Sequence, residues 1–345
     1  MNQLHRIKIS ILVPVYGVEK YIKKCAESLF SQDYPNIEFI FVNDCTLDKS
    51  IEVLHEVLSR YPHRTDQVKI ITHDFNRGLS TARNTALDHS TGEYLLPIDS
   101  DDYLSSPYAV TTLVELALKN NADVVFYDMQ LIYPNKSFIY HTHMPTNYKE
   151  LTQKLISREL SLTLWGGLYK RELFTKYDIR SIPEISMGED YVVKTRLAYY
   201  MRKIIYCNEP FYCYNQINSE AITKHFKSSW INDFDHCMQI IQKFFHSKDD
   251  CTLFKSSIEL GNIREILHLL SFCILYKGNK TDIEKIQNLL KKNDTLIKRL
   301  SINEIIIYYF AKFNFLKLLK LYLFLGIKTK HFIRPFLRTH SNTIC

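Results

Sequence analysis

The sequence lacks most of the features that assign a chain to a class at sight. None of its eight cysteines (Cys25, Cys45, Cys207, Cys213, Cys237, Cys251, Cys273, Cys345) stands in a CxxC pair or at zinc-ligand spacing, which argues against a zinc ribbon or a dithiol centre. No secretory leader is legible at the N-terminus, so the thiols read as reduced and the chain as cytoplasmic. No run of 18 uncharged apolar residues occurs, and a transmembrane helix is not expected. The first apolar run is followed by Pro14-Val15-Tyr16-Gly17 instead of a G-x-G-x-x-G turn, which removes the Rossmann dinucleotide reading, and there is no P-loop. Acidic residues are missing altogether from Ile305 to Cys345. That stretch carries seven Lys and Arg, equal to the whole net charge of +7, so the chain before it is close to neutral. A nucleic-acid surface on the main domain is therefore not expected.

What is present is a chain of 345 residues, 46% hydrophobic, long enough to bury a large core in one large domain or two smaller ones. Short apolar runs alternate with segments of helical period. Ile7–Val15, Ile37–Val42, Val68–Thr72, Tyr94–Ile98 and Asp123–Tyr127 read as strands. Between them, Val18, Ile22, Cys25 and Leu29 share one helical face, and Ile51, Leu54, Val57, Leu58 and Tyr61 another. A third helix opens at Gly78. This alternation predicts a largely parallel sheet flanked by helices, with ligands beyond the carboxyl ends of the strands. Pro14-Val15-Tyr16, Asn43-Asp44, Asn76-Arg77-Gly78 and Asp99-Ser100-Asp101 all fall at such ends. From about residue 226 the pattern becomes helical throughout, giving expected domains at 1–225 and 226–345.

The run Leu95-Leu96-Pro97-Ile98 ends in three carboxylates within four residues, Asp99, Asp101 and Asp102. Carboxylates this close repel one another unless they share a cation or each hold a partner. Two hard oxygen donors suit Mg²⁺ or Mn²⁺, while a solvated acidic loop is the plainer alternative.

Taken together these segments resemble the family 2 glycosyltransferases of the GT-A fold, over roughly residues 7–224. The resemblance implies that Asp99 and Asp101 form the DxD that holds Mn²⁺ or Mg²⁺ and the diphosphate of a nucleotide sugar, with UDP as the expected nucleotide. It implies further that Pro14 and Tyr16 line the nucleobase pocket and that Asp44 accepts hydrogen bonds from the base, with helix capping as the alternative for Asp44. Asn76-Arg77-Gly78-Leu79-Ser80-Thr81-Ala82-Arg83-Asn84 is similar to the family's N-x-G-x-x-x-A-R-N, in which Gly78 permits close backbone approach and guanidinium groups suit phosphate. Arg83 has a second reading, as a tether to the acidic loop.

On the acceptor side, Leu164-Trp165-Gly166-Gly167 resembles the segment that carries the family's acceptor tryptophan, although Gly166-Gly167 departs from the usual polar residue and Lys. Trp165 is there either a stacking platform for a sugar or a core residue. Gly188-Glu189-Asp190 matches the family's G-E-D, which makes Asp190 the expected catalytic base beside Glu189; helix capping is the alternative. Tyr212-Cys213-Tyr214-Asn215-Gln216 and Ser219 resemble the end of the catalytic domain. The Q-x-x-R-W of processive synthases is absent, so addition of one sugar at a time is expected, to a hydroxyl of a glycan or a lipid-linked acceptor. Phe313–Leu325 interleaves Leu and Phe with Lys317 and Lys320, which suits either an anionic membrane surface or packing on the catalytic domain. A metal-dependent nucleotidyltransferase and a non-catalytic membrane scaffold remain the alternatives in function.

Overall fold

The computed structural model describes residues 6–218, 225–291 and 294–328. Two compact units emerge, one of residues 1–148 and 163–219, the other of residues 149–162 and 220–345. The second unit thus takes in the chain from residue 220 onward together with an earlier piece. The excursion at 149–162 was not read from the sequence, because the strand-helix alternation that marks the first unit has already faded there.

The first unit is built on one nine-stranded sheet. Its opening half runs β1 (Ile9–Val15), α1 (Ile22–Phe30), β2 (Ile37–Asn43), α2 (Ser50–Ser59), β3 (Val68–Thr72), α3 (Leu79–Asp88) and β4 (Tyr94–Pro97). These strands pair in parallel in the order β3-β2-β1-β4. β1, β2 and β4 are buried along their whole length, which is why their sequences are continuous apolar runs and not alternating ones. β1 pairs with β4 only as far as Leu12↔Pro97. Past Pro97 and the Ile98 amide, which donates to the Leu12 carbonyl at 3.0 Å, β1 and β4 part at the carboxyl edge, while β1 and β2 stay paired to Val15↔Asn43.

The second half adds β5 (Tyr103–Leu104), α4 (Ala109–Asn120), β6 (Val124–Tyr133), β7 (Lys136–Tyr140), β8 (Gly167–Lys170), α6 (Glu172–Thr175), α7 (Glu189–Tyr200) and β9 (Ile204–Asn215). Here β8 pairs antiparallel with both β4 and β6, while the long β6–β9 pairing is parallel. The sheet is thus parallel where the sequence alternates regularly and mixed where it does not.

The second unit comprises α5 (Tyr148–Ile156) from Lys149 onward, α8 (Trp230–His246), α9 (Lys255–Leu275), α10 (Lys280–Lys291), α11 (Ile302–Lys312) and α12 (Leu316–Lys328). α9 buries residues on all sides, Leu260, Ile263, Ile266, Leu267 and Leu270 among them, and α8, α10, α11 and α12 pack around it. Ser301 and Glu304 form a reciprocal capping box that starts α11. Leu319 and Leu323 face inward from α12, whereas Leu318, Leu321, Phe324 and Leu325 are each about half exposed, beside exposed Lys317 and Lys320. Among the described residues no helix is long and apolar enough to cross a membrane, and the described cysteines are all free thiols. Ser219 and the basic tail beyond Lys328 lie outside the described residues.

Candidate active site

The four polar strand ends do meet at one edge of the sheet, and a guanidinium ties them to the later part of the chain. β4 stops at Pro97, and the chain then turns, with the Asp102 amide donating to the Asp99 carbonyl at 3.0 Å. The break at Ser100 separates the three carboxylates into different environments. Asp102 is buried, and its oxygens accept from the Tyr212 hydroxyl at 2.6 Å and the Asn215 amide at 2.7 Å. Burial, reinforced by Asp101 and Asp99, pushes its carboxyl well above the usual range. Asp102 is therefore an internal brace. Asp99 and Asp101 are less deeply placed: Asp99 Oδ1 accepts from Arg83 Nη2 at 3.0 Å and Asp101 Oδ2 from Asn218 Nδ2 at 2.8 Å. They are two hard oxygen donors on one turn, which suits Mg²⁺ or Mn²⁺. Among the described residues no group of three His, Cys, Asp or Glu could hold a metal, so any such ion would draw its remaining ligands from diphosphate and water.

Arg83 comes from the third turn-and-helix segment. α3 starts after Gly78, whose φ of +86° is a backbone conformation that a side chain resists. The geometry lets the Arg77 and Gly78 amides both donate to Asp44, at 2.8 Å to Oδ1 and 2.7 Å to Oδ2. His73 Nδ1 meets Asp44 Oδ1 at 2.7 Å as well, and Asp44 is only 3% exposed. In this structure Asp44 and the amides near Gly78 hold one another, and the carboxylate fixes the loop that carries Asn76, whose Oδ1 also accepts from the Gly78 amide.

From α3, three side chains reach the segment that precedes and begins α7. Ser80 Oγ donates to the Ile185 carbonyl, Asn84 bonds Ser181 through both its amide atoms, and Arg83 Nη1 donates to Glu189 Oε1 at 2.8 Å and Asp190 Oδ1 at 2.6 Å. With its bond to Asp99, Arg83 thus grips three carboxylates from a site 10% exposed. The tether reading of Arg83 describes its contacts here. The exposed cation of the same segment is Arg77, whose side chain has no ion pair among the described residues.

Glu189 and Asp190 open α7 after Gly188, which has φ +94°. Burial raises both carboxyls. Glu189 is pushed up to about 7, with Asp190 adding to the rise and Arg83 opposing it. Asp190 is raised less decisively, since Arg83, the Leu164 amide and Lys194 all favour its charged form. Trp165 is 3% exposed and stacks on Tyr212, 4.2 Å between ring centres at 7°, with Tyr214 tilted against it.

Tyr16 is 48% exposed at the end of β1, next to buried Pro14. Two further apolar residues stand out at neighbouring strand ends, Leu47 at 92% and Phe75 at 65%. Sequence reasoning passed over them, although an isolated Phe between Asp74 and Asn76 in a polar loop was a usable signal. It also missed Asn218, Tyr212 as the Asp102 partner, and Lys194, a fully buried lysine one helical turn after Asp190.

Comparison with known proteins agrees with this architecture. Residues 10–178 match the model of glycosyl transferase family 2. The chain is 31% identical over 240 residues to glycosyltransferase GlyA of Streptococcus pneumoniae, covering 65% of this chain and 33% of GlyA. It is 31% identical over 230 residues to the uncharacterized glycosyltransferase EpsJ of Bacillus subtilis, covering 63% of each. The chain therefore spans a third of one relative and under two thirds of the other. Among solved structures, that of S. aureus TarS 1–349 in complex with UDP-GlcNAc superposes with a TM-score of 0.69 at 18% identity, over 94% of this chain and 92% of that one, a likeness of fold. The expected GT-A architecture with a helical C-terminal region is the one the chain has.

Proposed function

We propose, from the match of residues 10–178 to the model of glycosyl transferase family 2, that the chain is a member of that family and moves a sugar from a nucleotide diphosphate donor to a hydroxyl of a glycan or lipid-linked acceptor, with inversion. The observation that carries the reading is the Arg83 bridge. One guanidinium bonds Asp99 at the acidic turn and Asp190 at the start of α7, and this supports a reading in which the diphosphate lies on the Asp99 flank and the acceptor on the Asp190 flank.

In this reading the nucleobase lies at the carboxyl ends of β1 to β3, where Tyr16 and Phe75 present exposed aromatic faces and Pro14 forms the floor. Asp44 acts by shaping that wall, and Asn76 and Gly78 by the turn it fixes. Arg77, exposed and without an ion pair among the described residues, is the cation best placed for phosphate oxygens. Asp99 and Asp101 would hold Mn²⁺ or Mg²⁺, which when bound neutralises the charge of the departing diphosphate. Arg83 keeps Asp99 and Asp190 apart in charge and fixed in place.

A sugar hydroxyl is a poor nucleophile at neutral pH, so a carboxylate must take its proton as the new bond forms. Asp190 takes that part, because partial burial makes it a better base while Arg83 keeps it ionised. Glu189, raised by burial and Asp190 to about 7, borders the acceptor side with Trp165. UDP as nucleotide is supported by the fold shared with a protein solved with UDP-GlcNAc. The same reading places the enzyme peripherally at the cytoplasmic face of a membrane, through the half-exposed Leu318, Leu321, Phe324 and Leu325 and the lysines between them.

The test is a panel of nucleotide sugars with purified protein and Mn²⁺, followed by the product released. Slow donor hydrolysis to a nucleoside diphosphate is expected. Release of pyrophosphate would instead identify a nucleotidyltransferase.

A further inference from the structure

Asp190 and Lys194 stand four residues apart on α7 and so share a face of the helix. Between them lies a single peptide group. The Leu164 amide donates to Asp190 Oδ2 at 3.1 Å, and Lys194 Nζ donates to the Thr163 carbonyl at 2.8 Å. That carbonyl and that amide are the two polar ends of one planar unit, which point in opposite directions across a trans bond. One turn of helix therefore grips the Thr163–Leu164 peptide at both ends.

Lys194 is fully buried, with its Nζ 5.2 Å from the centre of the Phe126 ring. An ammonium is costly to bury, and a position of merely structural use would take Leu or Met at lower cost. The peptide it holds leads directly into Trp165, whose carbonyl accepts from the Tyr127 hydroxyl at 2.9 Å and whose ring stacks on Tyr212. Tyr212 in turn donates to Asp102 and accepts from the Asp99 amide at 3.2 Å. The grip on one peptide is thus continuous with the acidic turn.

We propose that Lys194 is a positioning residue, holding the Thr163–Leu164 peptide against Asp190 so that the carboxylate and the Trp165 segment are fixed together for proton acceptance. The proposal rests on the role given to Asp190 above. The groups facing Asp190 are Arg83 from α3, Asp99 from the acidic turn, Tyr169 from β8, and Glu189 and Lys194 from α7 itself. Of these Arg83 is cationic, and Lys194, lowered by burial to about 7 against the pull of Asp190, is cationic on the acid side of that value. Removing the lysine charge therefore raises the pH at which Asp190 loses its proton.

The experiment compares the full chain with Lys194→Met by two readouts. The first is hydrogen exchange at the Leu164 amide, which needs no turnover. Exchange is expected to speed up by at least about 10-fold while that of Ile11 in β1 is unchanged. The second is the pH dependence of sugar transfer. kcat is expected to fall on the order of 10²-fold with donor affinity unchanged, and the acid limb to move to higher pH. Unaltered Leu164 exchange, or a uniform loss of rate with an unmoved acid limb, would overturn the proposal. Should Lys194→Met not fold, Lys194→Gln carries the same comparison, being shorter and uncharged. Absence of transfer by the unaltered protein would count against the function proposed above, and the grip on the peptide is then judged by exchange alone.

Discussion

Replacing Arg83 by Met tests how the site is held together. The guanidinium makes three bonds to carboxylates, at 2.6 Å to Asp190, 2.8 Å to Glu189 and 3.0 Å to Asp99, from a position 10% exposed. Removing one partner of a buried ionic group leaves charge without compensation, at a cost of about 3–5 kcal/mol. At roughly 2–4 °C per kcal/mol for a unit of this size, the melting temperature should fall by about 10 °C near neutral pH. The loss should also depend on pH, and its direction follows from the carboxyls left behind. Glu189 is already held at about 7 by burial and Asp190 is raised, and without Arg83 both go higher. A carboxyl whose folded pKa exceeds its unfolded value, about 4, contributes stability that is complete below the unfolded value and is lost as pH rises through the folded one. The deficit of Arg83→Met should therefore be smallest near pH 5 and largest above 7. Thermal melts at a series of pH values measure this directly. A variant as stable as the parent at pH 7.5, but unable to bind nucleoside diphosphate, would refute the reasoning and make Arg83 a phosphate ligand.

Other outcomes follow from separate parts of the molecule. Asp101→Ala should abolish Mn²⁺-dependent binding of nucleoside diphosphate with the melting temperature unchanged; calorimetry with and without EDTA measures it, and equal affinity in both would remove the metal from Asp101. Burial alone would raise Glu38, but Lys8, Ser10, Thr91 and Lys69 hold it down at about 2. Because that value is depressed, its contribution is present above the unfolded pKa and lost as pH falls. Stability should drop by about 3 kcal/mol between pH 5 and 2, and Glu38→Gln should flatten that slope in denaturant titrations. Deleting residues 305–345 should weaken sedimentation with anionic vesicles, by about 1 kcal/mol for each basic residue at the surface, and salt should weaken binding of the full chain. Equal sedimentation of both forms would refute the membrane reading.

The parallel half of the sheet was legible because buried strands leave continuous apolar runs, as in Ile37–Val42, and each run ended in a polar turn. The mixed half was not. β8 is four residues long and pairs antiparallel on both sides, and neither fact leaves a period in the sequence. Among site residues, motif spacing singled out Asp99, Asp101 and Asp190, and the fold ties the first and last of them to one guanidinium. What spacing could not give was occupancy: which oxygens are already taken. Asp44 and Arg83 both carry the charge that a ligand would want, yet in the folded chain their partners are the Gly78 loop and three carboxylates. Lys194 was hidden for a related reason. A lysine within Tyr191-Val192-Val193-Lys194 reads as a solvent-facing charge, and only the packing of α7 puts it inside.

The measurement that bears most directly on the central claim is the turnover of Asp190→Asn beside Glu189→Gln, with a nucleotide sugar that the unaltered protein accepts. Asparagine keeps the size and hydrogen bonding of Asp190 but not its basicity, so transfer should fall by roughly 10²–10⁴-fold while donor affinity and its Mn²⁺ dependence stay as they were. Near-full transfer by Asp190→Asn together with a dead Glu189→Gln would contradict the account and move the base one residue back along α7.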